Sequence, residues 1–121
     1  MPKFTLLHNP RCSKSRQALQ IVEEKNHPLE VIEYLKSPLT EAQLNVLYTT
    51  LGVDTALEMI RPKEKEFIEA KLSKSSSDEE VIAAVAKFPK LLERPILIKG
   101  SLDKIEDAII GRPPENVLDL F

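Results

Sequence analysis

The chain has no tryptophan, one cysteine and three glycines, and only 5% of its 121 residues are aromatic. A lone cysteine, Cys12, cannot close an internal disulfide, so a bridge-stapled secreted scaffold is excluded. Gly52, Gly100 and Gly111 are too far apart to form a Gly-x-Gly-x-x-Gly turn or a Walker-type phosphate cradle. There is no basic excess either: 17 Lys and Arg stand against 19 Asp and Glu, a formal charge of −2. With few aromatic side chains to stack on bases, a nucleic-acid platform is not expected. No apolar run approaches the roughly 18 residues of a membrane span. The opening Met-Pro-Lys-Phe-Thr-Leu-Leu is also too short for a secretory h-region. These absences predict one soluble domain over residues 1–121, in a reducing cytoplasm.

The patterning is that of an α/β chain. Residues 3–7 read as a buried strand that stops at the polar run His8-Asn9-Pro10-Arg11-Cys12-Ser13. Helical spacing of Ala18, Leu19 and Val22 follows from Ser13 to about Asn26, and Leu29–Leu35 reads as a second strand between Pro28 and Pro38. A β-α-β order implies a parallel pair with a crossover helix. Thr40 and Gln43 then spell a capping box, with Gly52 beyond the helix end, and Ser77 and Glu80 spell a second. Between them, 53–72 holds one or two short helices broken at Arg61-Pro62. Pro95–Lys99 and Ala108–Ile110 read as a hairpin with a long loop, Ser101–Asp107. A terminal helix opens at Pro113-Pro114, with Val117, Leu118 and Phe121 on its buried side. The expectation is a mixed sheet with a helical insertion over about 39–90, between an N-terminal β-α-β unit and a C-terminal β-β-α unit.

Chemistry concentrates at Cys12. A free cysteine is usually a small buried hydrophobe, yet this one has His8-Asn9-Pro10-Arg11 before it and Ser13-Lys14-Ser15-Arg16 after it. Placed where a loop enters a helix, its sulfur faces unpaired backbone N–H groups and the positive end of the dipole. No acidic residue precedes Glu23, whereas Lys3, Arg11, Lys14 and Arg16 do. Both effects favour the thiolate. Lowering a thiol pKa from about 8.5 to about 6.5 raises the thiolate fraction at pH 7 from about 3% to about 75%. The weaker nucleophile returns about 8-fold of that, leaving roughly a threefold gain. Thiolate formation alone is thus a weak reason for so positive a setting, and an anionic substrate explains it better. A metal site lacks ligands, since only His8 and His27 could join Cys12. A phosphatase-type Cys-x5-Arg loop also fails, because Ala18 stands at the arginine position.

Arginine supplies the second constellation. Three of five arginines immediately precede proline: Arg61-Pro62, Arg94-Pro95 and Arg112-Pro113. Five arginines and nine prolines scattered over 121 positions would give fewer than one such pair. A residue before proline is held extended, which restricts its side-chain direction, and guanidinium suits bidentate binding of a tetrahedral oxyanion. His8 has two open roles: raising the thiolate population when protonated, or capping the first strand. The residues themselves reach as far as thiol chemistry on or beside an oxyanion.

His8-Asn9-Pro10-Arg11-Cys12-Ser13-Lys14-Ser15-Arg16, Glu93-Arg94-Pro95-Ile96 and Gly111-Arg112-Pro113-Pro114-Glu115 resemble the signature segments of the glutaredoxin-type arsenate reductase family. The resemblance covers essentially the whole chain. It implies a thioredoxin-like fold with a helical insertion and Cys12 as the nucleophile that attacks arsenate. Glutathione is implied as co-substrate, glutaredoxin as the partner that reduces the adduct, and no bound cofactor or metal. It further implies oxyanion binding by Arg94, Arg112 and Arg61, thiolate tuning by His8 and Ser15, and a cis-proline at Pro95. The 101–107 loop looks longer than the family's compact hairpin turn, and Arg61 is unusual in being followed by proline. Two other readings share the fold. One is a monothiol glutaredoxin-like enzyme acting on glutathione mixed disulfides. The other is an Spx-like RNA-polymerase-binding regulator, although such regulators commonly carry Cys-x-x-Cys, and Cys12–Ser15 is Cys-x-x-Ser.

Overall fold

The computed structural model describes residues 3–121; Met1 and Pro2, the start of the expected domain, lie outside it. Two compact units emerge, one from the chain through Ser37 together with Arg94–Phe121, the other from Pro38–Glu93.

The first unit is built on a four-stranded mixed sheet. β1 (Phe4–His8) is followed by helix α1 (Ser13–Glu23) and strand β2 (Leu29–Glu33); β3 (Ile96–Ser101) and β4 (Lys104–Ile110) come from the far end of the chain. Their spatial order is β2-β1-β3-β4. β1 pairs parallel with β2 and antiparallel with β3, and β3 pairs antiparallel with β4. All five β1 residues are buried, as a strand with neighbours on both sides and both faces covered requires. Because side chains alternate between faces, Phe4 and Leu6 share one face, where they pack with Ala18 and Val22 of α1, Leu97 of β3 and Val117. Burial of each of the larger side chains in this set contributes about 1.5–3 kcal/mol.

Three sequence expectations are corrected here. β2 ends at Glu33 rather than Leu35, because the Glu33 carbonyl accepts from the N–H groups of Lys36 and Ser37 and turns the chain. The long 101–107 loop does not exist: β4 begins at Lys104, leaving only Leu102 and Asp103 between the strands. Lys104, Glu106 and Asp107 hid that strand because β4 is a sheet edge, where charged residues are accommodated and block further pairing. Gly100 (φ 106°) sits at the register shift beside Lys99, and its N–H donates to the Lys3 carbonyl. Finally, Pro114–Leu120 is a 3-10 helix. Its three-residue turn aligns Pro114, Val117 and Leu120, so Leu118 and Phe121 are 41% and 40% exposed instead of buried. Phe121 nevertheless lies against Phe4, ring centroids 4.6 Å apart.

In the second unit, α2 (Glu41–Leu51) starts with the reciprocal Thr40–Gln43 capping box and stops at Gly52 in the left-handed region. A single 3-10 turn (Ala56–Met59) and the short α3 (Lys65–Glu69) flank Arg61-Pro62, and α4 (Asp78–Lys87) starts with the Ser77–Glu80 box. Asp78 ties these pieces together, one oxygen accepting from Tyr48 Oη at 2.9 Å and the other from the Ala56 N–H at 2.9 Å. Among the described residues, no helix is long and apolar enough to cross a membrane.

Candidate active site

The ends of β1, β2 and β4 and the start of β3 meet at one end of the sheet, and the loop to Cys12 leaves from there. The loop that carries it is held by Asn9. The Asn9 carbonyl accepts from the Cys12 N–H (3.0 Å), its Oδ1 accepts from the Arg11 N–H (3.0 Å), and its own N–H donates to Ser15 Oγ (3.1 Å). Arg16 Nη1 donates to the Pro10 carbonyl at 2.8 Å and closes the loop from outside. Sequence reasoning missed Asn9, although an Asn-Pro step is a turn signal whose side chain often bonds the backbone two residues on. Replacing Asn9 by alanine removes the Oδ1 acceptor. The expected result is a loss of about 1 kcal/mol in denaturant unfolding, with slower alkylation of Cys12 by iodoacetamide at neutral pH.

Cys12 is the N-cap of α1, half-buried, with extended backbone (φ −95°, ψ 121°). Burial pushes its thiol pKa up, but that effect is outweighed. The Ser15 N–H, the Arg94 side chain, the Lys14 N–H and the Arg94 charge together hold it below the ordinary thiol value. Lys14 and Ser15 are the second and third helical residues, whose N–H groups have no partner within the helix.

Ser15 is fully buried, and its Oγ lies 2.7 Å from His8 Nδ1. The His8 pKa is lowered, first by burial and further by Arg16, against the opposing pull of Glu33 and Glu23. That lowering favours the neutral ring over the protonated one. As a neutral ring it holds Ser15, whose N–H faces the sulfur.

Arg94 and Arg112 reach the same place from the other end of the chain. Arg112 Nη2 stands 3.8 Å from Cys12 Sγ, and its Nε donates to the Arg94 carbonyl at 2.9 Å. The Gly111 N–H donates to the Pro95 carbonyl at 2.8 Å, so the two Arg-Pro segments are bonded to each other twice. A Cβ on Gly111 would come within 2.9 Å of Val117 Cγ1 and 3.0 Å of Pro95 Cγ, so glycine permits that approach. Asn116, a second residue the sequence did not single out, donates from Nδ2 to the Arg112 carbonyl at 3.0 Å. The Arg94–Pro95 and Arg112–Pro113 peptide bonds are both cis. Arg61 belongs to the helical unit, where its Nε lies 3.9 Å from Glu93 Oε1 and its N–H donates to the Leu91 carbonyl. Its Nη1 is buried with no hydrogen-bond partner among the described residues.

A thiolate capping a helix, with two guanidiniums aimed at it, can attack an electrophilic oxyanion and hold the charge on the oxygens it displaces. Among the described residues no cluster of three His, Cys, Asp or Glu side chains could hold a metal ion.

Comparison with known proteins agrees with this geometry. Residues 7–120 match the ArsC family. An uncharacterized protein YfgD of Escherichia coli K12 is 43% identical over 116 residues, covering 95% of this chain and 93% of its own. An arsenate reductase of Neisseria meningitidis serogroup A is 38% identical over 118 residues and 97% of both chains. Among solved structures, an arsenate reductase from Vibrio cholerae superposes with a TM-score of 0.88 at 37% identity, covering 99% of this chain and 98% of that one. The mixed sheet with its helices is the thioredoxin-like architecture of those structures.

Proposed function

The chain belongs to the ArsC family, and from that premise we propose that it reduces arsenate to arsenite, with Cys12 as nucleophile and glutathione and a glutaredoxin as external reductants. The convergence of Arg94 and Arg112 on the Cys12 sulfur at the start of α1 carries this reading. In the first step the Cys12 thiolate attacks arsenic, a sulfur–arsenic bond forms, and one oxygen leaves as water after taking up protons. Arg94 and Arg112 hold the remaining oxygens. Glutathione then displaces a second oxygen. The glutaredoxin thiol attacks the glutathione sulfur, forming a mixed disulfide. The electron pair of the broken glutathione sulfur–arsenic bond passes to arsenic, taking it from As(V) to As(III). Water then hydrolyses the remaining Cys12 sulfur–arsenic bond, returning one oxygen to arsenic, releasing arsenite and regenerating the Cys12 thiol. A second glutathione resolves that disulfide. Overall, two thiols are joined as glutathione disulfide while arsenate loses one oxygen as water. With one cysteine in the chain, the reducing thiols come from outside, which suits a reducing cytoplasm. For Arg61, the family resemblance and its unpartnered buried Nη1 support a further oxyanion-binding role. His8 and Ser15 serve as positioning residues for the thiolate.

The test uses the wild-type protein. Arsenite should form only when arsenate, glutathione and glutaredoxin are all supplied. The pH dependence of Cys12 alkylation adds a second readout. A thiol whose pKa is depressed is already ionised below the ordinary value, so the alkylation rate should climb with pH through a midpoint lower than that of a free, unperturbed thiol measured alongside. Arsenate should slow the reaction by occupying the arginines. A midpoint at the ordinary value, without arsenate protection and without arsenite formation, overturns the reading.

A further inference from the structure

The Cys12 loop has two flanks. Strand order places Arg94 and Arg112 on the β3–β4 side and β2 on the other. On the β2 side a groove of about 210 Å³ opens between the loop wall Asn9–Arg11 and Glu33, Leu35 and Lys36. The catalytic scheme above uses none of the last three. One wall is rigid, since Asn9 is 8% exposed and fixed by its three hydrogen bonds. The other is adaptable: Lys36 Nζ lies 3.5 Å from Glu33 Oε1, and the Lys36 side chain is 79% exposed.

The charge set is selective. One carboxylate, Glu33, and two cations, Arg11 and Lys36, border an apolar surface formed by Pro10 and Leu35. A simple oxyanion would be repelled by Glu33, and a simple cation by Arg11 and Lys36. A zwitterionic α-amino-acid head group satisfies all three, its carboxylate accepting from the cations and its ammonium donating to Glu33. The groove also adjoins the nucleophile. Arg11, which lines the groove, and Cys12 are consecutive, about 3.8 Å apart at Cα, a separation shorter than the roughly 10 Å an extended tripeptide spans.

We propose that this groove binds the amino-acid head group of the external thiol, its carboxylate on Arg11 and Lys36 and its ammonium on Glu33. The proposal rests on the thiol-dependent reading of Cys12 and adds where the co-substrate docks. Oxyanion and thiol would then approach the sulfur from opposite flanks, so the arginines need not release the arsenic oxygens to admit the thiol.

Titrating ¹⁵N-labelled protein with S-methylglutathione, which cannot form a disulfide, tests it directly. Saturable amide shifts are expected at residues 9–11 and 33–36. Lys36→Glu, at an exposed position, should weaken this binding about tenfold. The KM for glutathione in arsenite formation should rise by the same factor. Shifts that are absent or confined to the Arg94 and Arg112 flank overturn the proposal, as does an unchanged KM for glutathione in Lys36→Glu. Groove shifts without arsenate reduction by any thiol would sink the reductase reading and leave the thiol site standing. Turnover without groove shifts would sink only the site.

Discussion

Cys12→Ser is expected to abolish arsenite formation, and Arg94→Ala to lower kcat/KM for arsenate by about 10²–10³. The two variants fail for different reasons. Serine keeps the shape of the helix cap but is not ionised near neutral pH, so no sulfur–arsenic bond can form. Arg94→Ala leaves the sulfur in place and removes two effects together. Its guanidinium hydrogen bond and charge both hold the Cys12 thiol pKa down, and by the proposed mechanism it also carries charge on the arsenate oxygens. Alkylation separates these contributions. In Arg94→Ala the midpoint should move upward, toward the ordinary thiol value, while Arg112→Ala should lose arsenate protection with a smaller upward move, since Arg112 meets the sulfur only at 3.8 Å. Steady-state rates of arsenite release and the pH profile of iodoacetamide modification check both outcomes. An Arg94→Ala enzyme with unchanged kcat/KM would remove the guanidinium from the mechanism.

Gly100→Ala should cost about 3 kcal/mol of stability. The backbone there has φ 106°, outside the range side chains readily adopt, and an added Cβ would overlap the Lys104 carbonyl. Because that neighbour is backbone, no side-chain rotation relieves the overlap. Relief requires β3 and β4 to separate at their turn, which also strains the Gly100 N–H bond to Lys3 and the Thr5 Oγ1 bond to the Gly100 carbonyl. For a chain of this length the melting temperature should fall by about 10–15 °C, measurable by circular dichroism. By contrast, Gly52 (φ 71°) has nothing within 4 Å of its missing Cβ, so alanine there meets only backbone strain, about 1 kcal/mol.

Much of the architecture was legible because local chemistry and tertiary packing agree. Thr40 with Gln43 and Ser77 with Glu80 each satisfy two helix-end donors, and both boxes form. The same rule applied to Thr55 and Glu58 would have located the 3-10 turn at Ala56–Met59, which apolar spacing alone left vague. The first part of β4, before the expected Ala108–Ile110, escaped because an edge strand does not announce itself by hydrophobicity: Ala108 is its only buried residue. The chain end escaped because a period of three and a period of 3.6 agree over one turn and diverge over two. At the site, the thiolate setting and the Arg-Pro pairs could be read from residue types. Asn9 was signalled only as a turn residue and Asn116 not at all, since their contribution is to hold the main chain of the residues that carry charge.

The double tie between the Arg94-Pro95 and Arg112-Pro113 segments has a further consequence. The Arg112 guanidinium is fastened to the main chain that carries Arg94, so the two segments behave as calipers set to one width, and a change that re-aims one re-aims its companion. Evolving such a protein toward a smaller or larger anion by adjusting either arginine alone would meet resistance from the other. Discrimination between near-isosteric tetrahedral ions would more readily be altered in the chemistry of the sulfur than in the grip itself.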